Sequence, residues 1–337
     1  MNFDFTDDQQ AIKRTARDLL AERFKPDTVR ELAEAERYDD AHWSEIAELG
    51  WTGIFVDEAH GGQGLGLVEA AVLAEELGYA VAPVPFLANA AAGLAIQHAG
   101  SDAQRERLLP GIASGDAPAA AGVLRDGVAG LVPDADAAVA IVLLPAPGAD
   151  GDALVLDRAD CDVEPVAAID QTRRYARVTP HPGAGEALPG DPAAATDRIA
   201  TLAAAEIVGT IQRTLEMAVD YARDRQQFGR PIGAYQAVSH RCADMLREVE
   251  SARSTTYWAA WAADSEPQTL PLAASMTKAL ASDAGWSVPA AALQVHGGIG
   301  FTWEHDLHFL LKRAKVDGAL FGSAAEHRER VAALSGV

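Results

Sequence analysis

Two short stretches hold the residue types that can grip a phosphorylated ligand. One is Arg225-Gln-Gln-Phe228-Gly-Arg-Pro-Ile-Gly233, followed by Tyr235-Gln236. A guanidinium at a helix end clamps a phosphate through two parallel N–H donors. Phe228 offers a flat ring for packing, and Gly229 and Gly233 permit a tight turn or close backbone approach. The other is Gln294-Val-His-Gly297-Gly298-Ile-Gly300-Phe-Thr-Trp-Glu304. Gln294 brings an amide donor and acceptor. Gly297 and Gly298 let backbone N–H groups come close to a ligand. An interhelical turn with a solvated arginine, or a helix end with a satisfied histidine, would carry the same residues, so neither stretch decides alone.

Other chemistries are excluded. Gly62-Gln-Gly64-Leu-Gly66-Leu67 and Gly298-Ile-Gly300-Phe-Thr-Trp303 both lack the last glycine of a dinucleotide fingerprint, and neither follows a strand pattern. No Walker A sequence occurs. His305 and His308 sit three apart but lack a third ligand of suitable spacing, so no metal is expected. Two cysteines, Cys161 and Cys242, make neither a CxxC pair nor a disulfide framework and suit a reducing, cytoplasmic compartment. With 28 Lys+Arg against 49 Asp+Glu, the net charge of −21 repels phosphate backbones and anionic membranes. No apolar run spans a bilayer, and the opening MNFDFTDDQQ does not read as a leader.

The elements that must position these residues follow from periodicity. Thr6 or Asp7 caps a helix carrying Ile12, Ala16, Leu19, Leu20 and Phe24 on one face, and Pro26 is expected to end it. Further helices are expected over Asp40 to Leu49, with Gly50 as its cap, and over Glu69 to Tyr79. Residues 116–190 hold eight of the 17 prolines, and Val139–Leu144 and Ala153–Leu156 read as strands. Thereafter Ala204, Val208, Ile211, Leu215, Ala218 and Ala222 share a helical face, as do Val238, Cys242, Met245, Val249 and Ala252. The expected architecture is mainly α with a small β domain. It comprises an N-terminal helical domain over 1–115, a shortened β domain over 116–190 and a C-terminal helical bundle over 191–337.

Taken in order, the Arg225 and Gln294 stretches resemble the acyl-CoA dehydrogenase family. Supporting stretches are Phe5-Thr-Asp-Asp-Gln-Gln10, Glu48-Leu-Gly-Trp51, His60 to Gly66, Leu109-Pro-Gly-Ile-Ala-Ser-Gly115 and Asp170-Gln-Thr-Arg-Arg174. The resemblance covers almost the whole chain. It implies FAD as cofactor and oxidation of the Cα–Cβ bond of an acyl-CoA thioester, with a carboxylate taking the α-proton and the flavin the hydride. It further implies that Arg225, Phe228, Gln236, Gln294, Gly297 and Gly298 hold the pyrophosphate and adenosine of FAD bound by a neighbouring subunit.

Two departures stand out. The family's base position falls at Phe321 in Arg313-Ala-Lys-Val-Asp-Gly-Ala-Leu-Phe321-Gly322-Ser323, and phenylalanine accepts no proton. An alternative base position in the family maps to Ile199, with Asp197 and Glu206 nearby but out of register. The strands that face the flavin ring have no counterpart in Ala117-Pro-Ala-Ala-Ala-Gly-Val-Leu124 or in Leu131-Val-Pro-Asp-Ala-Asp136. The expected role is therefore the shortened subunit of a heteromeric, α2β2 acyl-CoA dehydrogenase. A full-length paralogue would hold the substrate, as in the unequal pairs of bacterial steroid side-chain β-oxidation. A self-sufficient homo-oligomeric flavoenzyme with a displaced base, and a non-catalytic scaffold, remain as alternatives.

Overall fold

The computed structural model describes residues 4–336. The leader reading at Met1–Phe3 and the terminal Val337 lie outside the described residues. Helix α1 (Asp7–Arg23) starts at Thr6, whose hydroxyl accepts from the Gln9 backbone N–H while the Gln9 side chain accepts from that of Thr6. The expectation at Pro26 is corrected: α1 stops at Arg23, and Pro26 opens α2 (Pro26–Glu34). At the first helical position a missing N–H leaves no bond unmade, and the fixed φ favours the helix. Then come α3 (Asp40–Glu48), α4 (Leu67–Ala80), α5 (Phe86–Ala99) and α6 (Asp102–Ser114). Helix α5 showed no stripe in the sequence because nearly every residue is buried; it has no polar face to alternate with.

Strands follow. β1 (Ala119–Val123), β3 (Ala140–Leu144), β4 (Leu154–Asp157) and β7 (Glu186–Ala187) form one sheet in the order β1-β3-β4-β7, with β1 and β3 parallel. β2 (Ala129–Pro133), β6 (Tyr175–Pro180) and β5 (Cys161–Pro165) form a second in the order β2-β6-β5. Their inward side chains, among them Val132, Ile141, Leu143, Leu156 and Val178, meet in one apolar cluster that Ala88 of α5 closes. The link from β1 to β2 is short: Arg125 and Val128 bridge across Asp126-Gly127.

The C-terminal helices are α7 (Pro192–Asp224), α8 (Gln236–Ser265), α9 (Leu270–His296), α10 (Leu307–Asp317) and α11 (Ala324–Leu334). Ala204, Val208, Ile211, Leu215, Ala218 and Ala222 of α7 are buried, as their spacing requires. Helices α4 and α7 cross so closely that a Cβ on Gly209 would lie 1.7 Å from the Glu75 carbonyl oxygen, and one on Gly78 would lie 2.0 Å from that of Glu206.

A buried ion cluster rivets the strands to the bundle. Arg313 of α10 donates to Asp170 (2.9 Å), to Glu206 of α7 (2.7 Å) and to both the hydroxyl and the carbonyl of Thr172. Arg173 donates to Asp317 (2.9 Å) and Glu206 (2.6 Å). Burial would raise the Asp170 carboxyl, yet Arg313 and Arg173 hold it below the usual range. Burial and then the neighbouring Glu206 push Asp317 up to about 8. Among the described residues no helix is long and apolar enough to cross a membrane.

Candidate functional site

Arg225 is the residue that caps the C-terminal end of α7. The chain then turns back in a two-residue hairpin, β8 (Gln226–Gln227) against β9 (Arg230–Pro231). The Ile232 N–H donates to the Arg225 carbonyl (2.8 Å), closing the hairpin base. Its tip is Phe228-Gly229, with φ of +50° and +80°. Positive φ at both positions is the mark of a type I′ turn, normally given to Asn-Gly or Gly-Gly. A phenylalanine there carries backbone strain of about 1–2 kcal/mol. The ring gains little from its own chain in return: it is 91% exposed, with only an edge contact to Tyr235 at 6.3 Å. Gln236 is exposed in the first turn of α8.

The second stretch ends α9. Gly297 has φ +62° and ψ −140°, a conformation open only to glycine. A Cβ on Gly229, Gly297 or Gly298 would meet nothing within 4 Å, so the backbone at all three faces open space. Gln294 is exposed one turn earlier on α9. Tyr221 on the last turn of α7 stacks on His296 with ring centroids 4.6 Å apart, which ties the two stretches to one end of the bundle. His296 Nδ1 lies 2.8 Å from the Ala292 carbonyl and so carries its proton there, while His305 packs edgewise at 4.5 Å.

Arg225, Gln236 and Gln294 thus present their polar ends to solvent with no side-chain partner among the described residues. One guanidinium, two amides and a bare glycine backbone fit a diphosphate joined to a heterocycle. The donors are unspent, and no side chain blocks the glycines. The apolar part of this surface was missed by the sequence reading. Phe301 is 71% and Trp303 65% exposed, beside the exposed Ile299. Their signal was present as three large apolar residues in a glycine-rich loop that has no core to fill.

The residues weighed as a base lie elsewhere. Phe321 is 3% exposed in the core that also holds Ile199 and Leu144, with φ +56°. Its loop is locked from two sides. His327 Nε2 lies 3.1 Å from the Phe321 carbonyl. Lys278, wholly buried, donates to the Gly318 (3.1 Å) and Gly322 (2.9 Å) carbonyls, and burial lowers its amine to about 7. Asp197 is clasped by both ends of the Arg330 guanidinium, and burial raises its carboxyl. Glu206 is shared by Arg173 and Arg313. From Ile199 to Arg225 along α7 is about 39 Å at 1.5 Å per residue.

Residues 6–116 match the family model for the acyl-CoA dehydrogenase N-terminal domain, and residues 194–335 that for the C-terminal domain. The chain is 34% identical over 330 residues to acyl-CoA dehydrogenase IpdE2 of Mycolicibacterium smegmatis, covering 97% of this chain and 99% of that one. Among solved structures, the steroid ACAD Tcur3481-Tcur3483 superposes with a TM-score of 0.89 at 26% identity over 98% of each chain. The ChsE4-ChsE5 complex from Mycobacterium tuberculosis superposes with a TM-score of 0.90 at 23% identity, covering 100% of this chain and 99% of that one, a likeness of fold.

Proposed function

The chain belongs to the acyl-CoA dehydrogenase family, and from that premise we propose that it is the donor subunit of a heteromeric enzyme. FAD is the cofactor. The subunit lends Arg225, Phe228, Gln236, Gln294, Gly297 and Gly298 to FAD whose reacting end lies in a full-length paralogue. When bound, FAD supplies the redox chemistry of α,β-dehydrogenation. Arg225 would clamp the diphosphate, with the glycine backbone of 297–298 lying along it. Gln294 and Gln236 would meet the adenosine end, and Phe228 would cover it.

The observation that carries this reading is the contrast between the two ends of α7. At Arg225 the polar groups are exposed and unspent. Of the two base positions that the resemblance gives, one holds the buried Phe321 and the other the buried Ile199 of α7, and the nearby acids Asp197 and Glu206 are held by arginines. Proton abstraction from a thioester needs a free carboxylate in reach of the substrate, and neither acid is free. The same contrast weighs against a homo-oligomer with a displaced base. It weighs also against an empty scaffold, for which Phe228 would have no reason to hold a strained, exposed turn.

A bulky acyl-CoA substrate held by the partner is in keeping with the likeness to the Tcur3481-Tcur3483 steroid ACAD. The test is co-expression with a full-length paralogue. One FAD per heterodimer and activity only in the mixture are expected, in an α2β2 assembly. Arg225→Ala should weaken FAD retention roughly ten- to a hundredfold, the size of lost charge-assisted bonds. Tight FAD binding and acyl-CoA dehydrogenation by this chain alone would overturn the proposal.

A further inference from the structure

A cavity of about 290 Å³ opens between α1, α2, the end of α4, α7 and α10. It is separate from the FAD-facing end: its α7 lining residues are Arg213 and Met217, and Met217 lies about 12 Å along the helix from Arg225. The floor is apolar and built from buried Leu20, Phe24, Val29, Phe309 and Leu310. Such a floor can shelter a hydrocarbon chain of modest length.

The charged groups of the wall are unevenly matched. Glu76 is already held by Arg17 and Lys13, and Asp306 by Arg30. Arg17 itself lies over the Tyr79 ring at 3.4 Å. Two cations remain. Lys25 is exposed and has no partner among the described residues. Half-buried Arg213 donates only to the Tyr79 hydroxyl (3.2 Å), which in turn donates to Glu216, leaving most of its guanidinium unspent. In a chain of net charge −21, a pocket whose spare groups are both cationic selects for an anion.

We propose that this cavity binds a medium-length apolar carboxylate. The chain would lie on Leu20, Phe24 and Phe309, and the head group would pair with Arg213 and Lys25. Neither the fold's redox role nor the half-site at Arg225 requires such a ligand. Because α2 also binds the loop after Trp303 through the Arg30 guanidinium, which donates to the Trp303 carbonyl and to Asp306, an occupant would brace the base of the FAD-facing loop.

The test is calorimetric titration of the full chain with hexanoate, octanoate and decanoate. Octanol serves as the uncharged control and octylamine as the cationic one. Each pair of methylenes should tighten binding roughly fifteenfold until the cavity is full. Octanol should bind at least about tenfold more weakly than octanoate, and octylamine should not bind. Arg213→Gln and Lys25→Gln should each weaken octanoate severalfold without changing the urea midpoint, and Met217→Trp should fill the cavity and abolish binding. Equal affinity for octanoate and octanol, or octanoate binding untouched by Arg213→Gln and Met217→Trp, would overturn the proposal. So would the absence of any octanoate binding.

Discussion

His327 reports the state of the loop that carries Phe321. Burial lowers its imidazole from 6.5 to about 4, so the native state stays unprotonated where the unfolded chain takes up a proton. Between those two values the unfolded state binds more protons. Stability therefore rises with pH in that window and is lost as pH falls from 6.5 to 4, by up to about 3 kcal/mol. Urea unfolding across that range should show His327→Gln with a flatter profile than the parent, by about 1.4 kcal/mol per pH unit. Parallel profiles would show that His327 is not the group titrating. Phe321 itself is a packing residue on the same evidence. Phe321→Ala should cost about 3–5 kcal/mol of stability and leave the FAD content of the assembled enzyme unchanged; a loss of FAD in a still-folded variant would contradict that assignment. None of this was readable from residue types. His327 and Lys278 carry no motif, and Arg173 finds its carboxylate partner Asp317 across 144 residues of chain. Only folding brings such charges together. Arg225 and Gln294 drew notice in the sequence for the opposite reason: they stand beside glycines that are their neighbours in the chain.

The crossing of α4 and α7 is the least forgiving contact between elements. Gly209→Ala would drive its Cβ into the Glu75 carbonyl at 1.7 Å, backbone against backbone, with no side chain able to yield. The loss should exceed the 1–3 kcal/mol of ordinary overpacking, read as a lowered urea midpoint or lost soluble yield. Gly130→Ala in β2, where a Cβ meets nothing within 4 Å, is the control and should shift stability by less than about 1 kcal/mol. A tolerated Gly209→Ala would mean the helices can slide apart. Strands β3 and β4 were legible because short β-branched and leucine runs lie between Pro, Gly and Asp. The long stripes of α7 and α8 were legible because one face of each meets the core. Helices such as α5 were not, since a segment buried on every side erases the very period that announces it. Pro26 misled for a related reason: a proline marks a helix boundary without saying which helix it belongs to.

At the scale of the molecule, Phe228, Ile299, Phe301 and Trp303 are all exposed at or near the end of the bundle that carries Arg225 and Gln294. An apolar surface of this kind, set among unspent polar groups, suits burial against another chain. Phe301→Ser and Trp303→Ser should weaken association with the proposed paralogue at least tenfold by sedimentation, while leaving this chain's own urea midpoint in place. Undiminished association would move the interface elsewhere. Helix α7 gives the arrangement a history as well as a geometry. Its 33 residues form one continuous rod, with the arginine-held acids Asp197 and Glu206 in its first half and the exposed hairpin beyond its other end. Substitutions so far apart, with no shared neighbours, act independently. Under the proposed division of labour, one copy left by a gene duplication could therefore shed its reactive end by drift while selection kept the Arg225 end intact, so long as the sister copy stayed whole.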